Sequence, residues 1–188
     1  MLLTEQKKSL LDVVIHYSKN LSEQAKVYLE GRGISEQVAN QFSLGTITDP
    51  INGHEAFEGW LCIPYFTALG DVSIVKFRRL DDGKPKYGAP TGQKAHLFNV
   101  VDVIVDSAFI VVCEGELDTV IVSGVLNIPA VGVPGVAAWK PHFSKLLSGY
   151  DRVLIVGDND VKEDGTNPGA EFSRRVQSEV NNGIIVSL

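Results

Sequence analysis

The sequence predicts an α/β chain in two parts, an N-terminal helical and antiparallel α+β segment over residues 1–100 and a parallel sheet flanked by helices over 101–188. Three observations predict this. Apolar residues over the first forty positions recur every three to four residues, the helical period. The segments GWLCIPYF and DVSIVKFRRL, separated by TALG, have the composition and spacing of an antiparallel hairpin. From residue 108 onward, short continuous apolar runs alternate with helical segments, as strands do when helices cover both faces of a parallel sheet.

The length of 188 residues and 44% apolar content suffice for one substantial core and exclude wholesale disorder. The N-terminal helices are LLDVVIHYSKNL, SEQAKVYLEGRG and SEQVANQF, with Ser22 and Ser35 as N-caps and Gly31 and Gly33 as stops. A turn-rich loop, TDPINGHEAFEG, leads into the hairpin. The polar stretch DDGKPKYGAPTGQKAHLFN (81–99) is too long for a simple turn and predicts a functional loop. The strands expected in the second part are AFIVVC, IPAVGV, RVLIVG and IIVSL. Helices are expected over LDTVIVSGVL, AAWKPHFSKLLSG and NPGAEFSRRVQSEVNNG.

Net charge is −6 and unevenly spread: residues 1–100 hold 11 basic and 11 acidic residues, residues 101–188 hold 6 and 12. A general nucleic-acid coat protein has a basic excess, so any nucleic-acid contact here is a local patch. No apolar run reaches the length of a membrane span and the N-terminus does not resemble a secretory signal, which predicts a cytoplasmic protein without membrane association. Cys62 and Cys113 lie inside apolar runs and predict buried free thiols. His16, His54, His96 and His142 are scattered and predict ordinary surface or capping residues; with no Cys/His ligand set, zinc is not expected. GxxxxGK[ST] and GxSxG are both absent, which disfavours a P-loop motor and a nucleophile elbow.

In an open parallel sheet the ligand site lies at the carboxyl ends of the strands. After AFIVVC come Glu114, Glu116 and Asp118; after RVLIVG come Asp158 and Asp160, with Glu163 and Asp164 beyond; after IPAVGV come Pro134 and Gly135. Converging carboxylates repel one another, and a hard divalent cation such as Mg²⁺ relieves that cost. The second constellation is basic: Lys76, Arg78, Arg79, Lys84, Lys86 and Lys94, against Asp81 and Asp82. Strand alternation puts Lys76 and Arg78 on one face and Val75, Phe77 and Arg79 on the other, so Lys76 and Arg78 form a polar face suited to phosphates, with Lys86 and Lys94 supplied by the following loop.

CEGELDTV followed some forty residues later by VGDND resembles a toprim domain, the metal-binding module of bacterial-type primases, topoisomerases, some nucleases and recombination proteins. YLEGRGIS…VANQFSLG and FRRLDDGKPKY…HLFN resemble the segment that precedes toprim in the RNA-polymerase domain of bacterial and phage primases. The resemblance implies that Glu114, Asp158 and Asp160 form the catalytic, metal-holding acidic set for Mg²⁺ or Mn²⁺, and that Arg78, Lys86 and Lys94 hold template and incoming nucleotide. It implies a DNA primase, a nucleotidyltransferase making RNA primers on single-stranded DNA from NTPs during replication, with a replicative helicase or a second primase polypeptide as further partner and a phage origin in a host cytoplasm. The resemblance also implies that the next helix opens with a short glycine-containing turn, which Gly169 would fill, and Asp164 and Asp118 are open as further ligands. Relative to that family the sequence has no zinc module or helicase and ends one strand early, which implies a toprim unit truncated at its C-terminal end. The alternatives are a toprim nuclease, with water as nucleophile, and a non-catalytic nucleic-acid-binding subunit of a replisome.

Overall fold

The computed structural model describes residues 4–90, 92–159 and 161–186. The chain divides into two compact units, Met1–Lys94 and Ala95–Leu188.

The first unit opens with helix α1 (Thr4–Ser18), followed by α2 (Glu23–Glu30) and α3 (Glu36–Gln41). Both expected caps form: the Ser22 hydroxyl accepts the N–H of Ala25, and that of Ser35 accepts the N–H of Val38. Strands β1 (Gly45–Thr46), β2 (Leu61–Phe66), β3 (Val72–Arg78) and β4 (Tyr87–Gly88) then make an antiparallel sheet in sequence order. The expected antiparallel hairpin forms, and β2 pairs with β3 so that Leu61 lies opposite Arg78 and Cys62 opposite Phe77. Its core is the α1 face Val13, Val14 and Tyr17 against Cys62, Val72, Val75 and Phe77. Full burial of each aliphatic or aromatic side chain here contributes roughly 1.5–3 kcal/mol relative to exposure. The stretch expected as a loop after residue 80 contains one short paired segment, since β4 docks on the end of β3 with Arg78 opposite Tyr87.

One expectation fails in this unit. His54 is a core residue, only 8% exposed, packed edge-on to Phe77 and hydrogen-bonded through its Nδ1 to the Tyr17 hydroxyl, 3.0 Å away. The same hydroxyl accepts the N–H of Ile51 at 3.0 Å. Burial lowers the His54 pKa below its ordinary value, and Glu55 opposes this only in part.

The second unit contains β5 (Phe109–Cys113), α4 (Glu116–Val120), β6 (Ala130–Gly132), β7 (Arg152–Val156), α5 (Pro168–Glu179) and β8 (Gly183–Val186). The strands are parallel in the order β6-β5-β7-β8. Ile110, Val112, Val153 and Ile155 point into one core with Trp139, Phe143, Phe172 and Val176, while Val111 and Cys113 pack into the opposite layer with Ala130. Burial on both faces is why these strands are unbroken apolar runs. Both cysteines are buried and unpaired, as expected.

The expected helix AAWKPHFSKLLSG is instead two 3₁₀ segments, Val136–Ala138 and Pro141–Leu147. Pro141 starts the second segment, and the fully buried Trp139 between them is held by its Nε1 donating to Glu179 at 2.9 Å. The expected helix after β5 is α4 continued by a π-helical turn, Ile121–Val125. Within that turn Ser123 donates to Asp102 at 2.7 Å, and the same carboxylate oxygen accepts the N–H of Ala130 at 2.9 Å.

Candidate active site

The order β6-β5-β7-β8 makes a topological switch point. The chain leaves β5 for β6 on one side, then crosses to β7 on the other, so the connections after β5 and β7 diverge and leave a crevice beyond their carboxyl ends. Cys113 and Val156 are register partners at that edge. The next residues are Glu114 and, after Gly157, Asp158. The ladder runs one step further, with the Glu114 N–H donating to Val156 O at 3.2 Å. The Glu114 carboxylate then accepts the backbone N–H of Asp158 at 2.8 Å. Glu114 is partly buried and Asp158 exposed. The two acids that sequence spacing assigned to one sheet edge therefore meet across adjacent strands.

Helix α5 closes this edge from behind. Asn167 caps it by accepting the Ala170 N–H at 2.9 Å, and Pro168 occupies its first turn. The helix can reach the strand end because of two glycines. A Cβ on Gly169 would stand 2.0 Å from Asp158 O, and one on Gly157 would stand 2.5 Å from Gly169 O. Gly169 lies in the first turn of α5.

The other acids separate into different environments. Glu116 is buried at 1% exposure on α4, whereas Asp118 is partly buried. Asp164 is exposed and accepts from both the N–H and the hydroxyl of Thr166, at 2.9 and 2.6 Å; these bonds hold its carboxyl below the usual range and close its own loop. Asp160 lies outside the described residues. Among the described residues no group of three or more His, Cys, Asp or Glu side chains is gathered closely enough to hold a metal. The donors that are present, carboxylates at adjacent strand ends, are the hard oxygen ligands that Mg²⁺ and Mn²⁺ prefer, so they fit such an ion in chemistry. Beneath them, burial and then the charge of Asp118 push the Cys113 thiol up to about 12, which removes it as nucleophile or soft ligand.

The basic set lies in the first unit. Lys76 and Arg78 are half-buried on one face of β3, with Val75 and Phe77 buried on the other. Lys86 and Lys94 are exposed. Arg79, one residue past β3, is paired bidentately with Asp81 at 2.6 and 2.8 Å. That pairing and the Gly83 N–H hold Asp81 at about 2, and they leave Arg79 little charge to offer a ligand. Two aromatic residues join Lys76 and Arg78: the Tyr87 ring lies 4.1 Å from Lys76 Nζ and 4.8 Å from the Arg78 guanidinium, and the Tyr28 hydroxyl accepts from Arg78 Nε at 2.7 Å. Sequence reasoning missed Tyr28, which stands fifty positions away on α2; its only local signal is an aromatic on a partly exposed helix face.

This architecture is that of the RNA polymerase catalytic core of bacterial primases. The structure superposes on the zinc-binding and RNA polymerase domains of Aquifex aeolicus primase with a TM-score of 0.76 at 22% identity, covering 97% of this chain and 54% of that one. It superposes on the RNA polymerase domain of Mycobacterium tuberculosis primase DnaG with a TM-score of 0.75 at 17% identity, covering 97% and 74%. This chain thus spans about half the length of that solved Aquifex chain. No protein-family model matches the sequence. The chain belongs to the family of the Gene 57 protein of Mycobacterium phage D29, with which it is 39% identical over 136 residues, 70% of this chain and 85% of that protein.

Proposed function

We propose that this chain is a primase-type nucleotidyltransferase core, building RNA primers on single-stranded DNA from NTPs with Mg²⁺ or Mn²⁺. The observation behind this reading is the meeting of Glu114 and Asp158 at the switch point of a toprim-like parallel sheet, within a primase-core fold. Glu114, Asp158 and Asp160 are the residues that would hold the ion. When bound, the ion supplies neutralisation of charge on the triphosphate and a lowered pKa for the attacking 3′-hydroxyl.

The chain's own residues supply the rest. Glu114 ties its carboxylate to the Asp158 backbone, fixing the spacing of the two strand ends before any ligand arrives. The partly buried Lys76 and Arg78 are cations suited to phosphate oxygens, and Lys86 and Lys94 add exposed charge. Such contacts position a strand without reading its sequence. A replicative helicase or a second primase polypeptide is the partner class this reading implies.

The test is incubation of the chain with an end-labelled oligonucleotide annealed to single-stranded template, NTPs and Mg²⁺ or Mn²⁺. A longer labelled product is the expected result. A shortened product would assign the acids to hydrolysis, and an unchanged strand in the presence of bound metal would overturn catalysis by this chain alone.

A further inference from the structure

Arg78 differs from its neighbour Arg79 in what holds it. Arg79 is neutralised by the Asp81 carboxylate. Arg78 donates from Nε to the Tyr28 hydroxyl and from Nη1 to the Tyr87 hydroxyl, and no carboxylate lies within salt-bridge distance of it among the described residues. Its guanidinium stands 5.6 Å from the Tyr28 ring centroid and 4.8 Å from that of Tyr87. The Arg32 guanidinium lies 5.0 Å from the Tyr28 ring, so more positive charge is gathered at the same place.

A half-buried cation has lost part of its hydration, and the usual remedy is a carboxylate. Here the remedy is a pair of neutral phenols. They orient the fork and lend it the electron-rich faces of their rings, yet they leave its charge uncancelled. Among the described residues two of its five N–H donors are used, which leaves the others to an anion. A purely structural arginine at the end of an edge-paired strand has no need of this arrangement; an anion receptor does.

We propose that Tyr28 and Tyr87 are positioning residues that hold Arg78, through their hydroxyls, as a preoriented receptor for a phosphate group. The phosphate is that of a nucleic-acid backbone or of a nucleoside triphosphate, an assignment that rests on the primase reading.

The test uses the full chain and two probes, a fluorescent oligothymidylate and ATP, with affinity measured as salt is varied. The variants are Arg78→Ala, the pair Tyr28→Phe with Tyr87→Phe, and all three together; the single Tyr28→Phe serves if the pair lowers the melting temperature. The hydroxyl deletions keep both rings and are expected to weaken binding about tenfold, the effect of losing a hydrogen bond to a charged group. Arg78→Ala is expected to weaken it at least as much and to reduce the salt slope by about one. The triple variant should be no weaker than Arg78→Ala, because the hydroxyls act only through the arginine. Losses with the oligonucleotide assign the phosphate to a strand, and losses with ATP alone assign it to a triphosphate. Parental affinity in the phenylalanine variants, multiplying losses in the triple variant, or no binding of either probe by the parent each overturn the proposal. Failure of the primer-extension assay with this coupling intact would sink the catalytic reading and leave the receptor standing.

Discussion

The Glu114 carboxylate accepts the backbone N–H of Asp158 at 2.8 Å, so the first acid of the site is tied to the strand end that presents the second. Position and charge can be separated at Glu114. Glu114→Gln keeps an oxygen acceptor for that N–H while removing the charge a divalent ion needs. It is expected to retain the parental melting temperature and to lose metal-dependent extension. Extension at the parental rate would remove Glu114 from the catalytic set.

Asp158 is exposed at the end of β7. Asp158→Ala is expected to leave the fold intact, or slightly stabilised through reduced carboxylate repulsion, and to abolish Mg²⁺ and Mn²⁺ binding. Calorimetric titration with Mn²⁺ checks this, and a parental isotherm would contradict the assignment.

A side chain at Gly169 has no room, because its Cβ would fall 2.0 Å from Asp158 O, a backbone atom. Gly169→Ala must displace either α5 or the Asp158 strand end. The expected cost is about 1–3 kcal/mol, in the range of overpacked cores. Activity should fall more than stability, because the displaced backbone is the one that presents the acid. Thermal unfolding and primer extension of the same preparation separate the two.

His54 makes the stability of the first unit pH-dependent. Its folded pKa lies below the ordinary 6.5, mainly through burial, so the unfolded chain binds this proton more readily than the folded one. The stabilisation is complete above 6.5 and is lost as pH falls from there toward the folded value. Tyr17→Phe removes the hydroxyl shared by His54 Nδ1 and the Ile51 N–H and is expected to cost about 1–3 kcal/mol at neutral pH. Denaturant unfolding across this pH range checks both; a His54→Gln variant should flatten the acid limb.

Cys113 stands one residue from Glu114 yet is buried, with its thiol pushed up to about 12. Cys62 is raised to about 12 by burial alone. Neither should react with iodoacetamide at neutral pH in the folded chain, and both should react in denaturant. Mass spectrometry of the alkylated protein gives the answer directly.

Much of this molecule was legible as sequence because its determinants are local. The Ser22 and Ser35 caps act within one turn, the β2–β3 alternation has period two, and apolar runs that end in acids mark parallel strands whose carboxyl ends share an edge. That was enough to bring Glu114 and Asp158 to one place. Elements whose outcome depends on distant partners were not legible. Residues 136–147 have helical composition, but Pro141 and the burial of Trp139, bonded to Glu179 forty positions away, turn them into 3₁₀ segments. His54 sits in a polar, turn-rich stretch and is nonetheless core, because the aromatic wall of Phe57 and Phe77 and the Tyr17 hydroxyl enclose it.

By itself, then, the sequence determined the α/β plan, the presence of the antiparallel hairpin and the strand ends after which Glu114 and Asp158 come, since periodicity and strand-end position are properties of neighbouring residues. Tertiary structure alone decided that Arg78 is held by Tyr28 and Tyr87, and that α5 abuts Asp158 at Gly169. The physical reason is that charge compensation and close packing depend on which side chains fold into contact, and residues fifty positions apart carry no mark of that in their order.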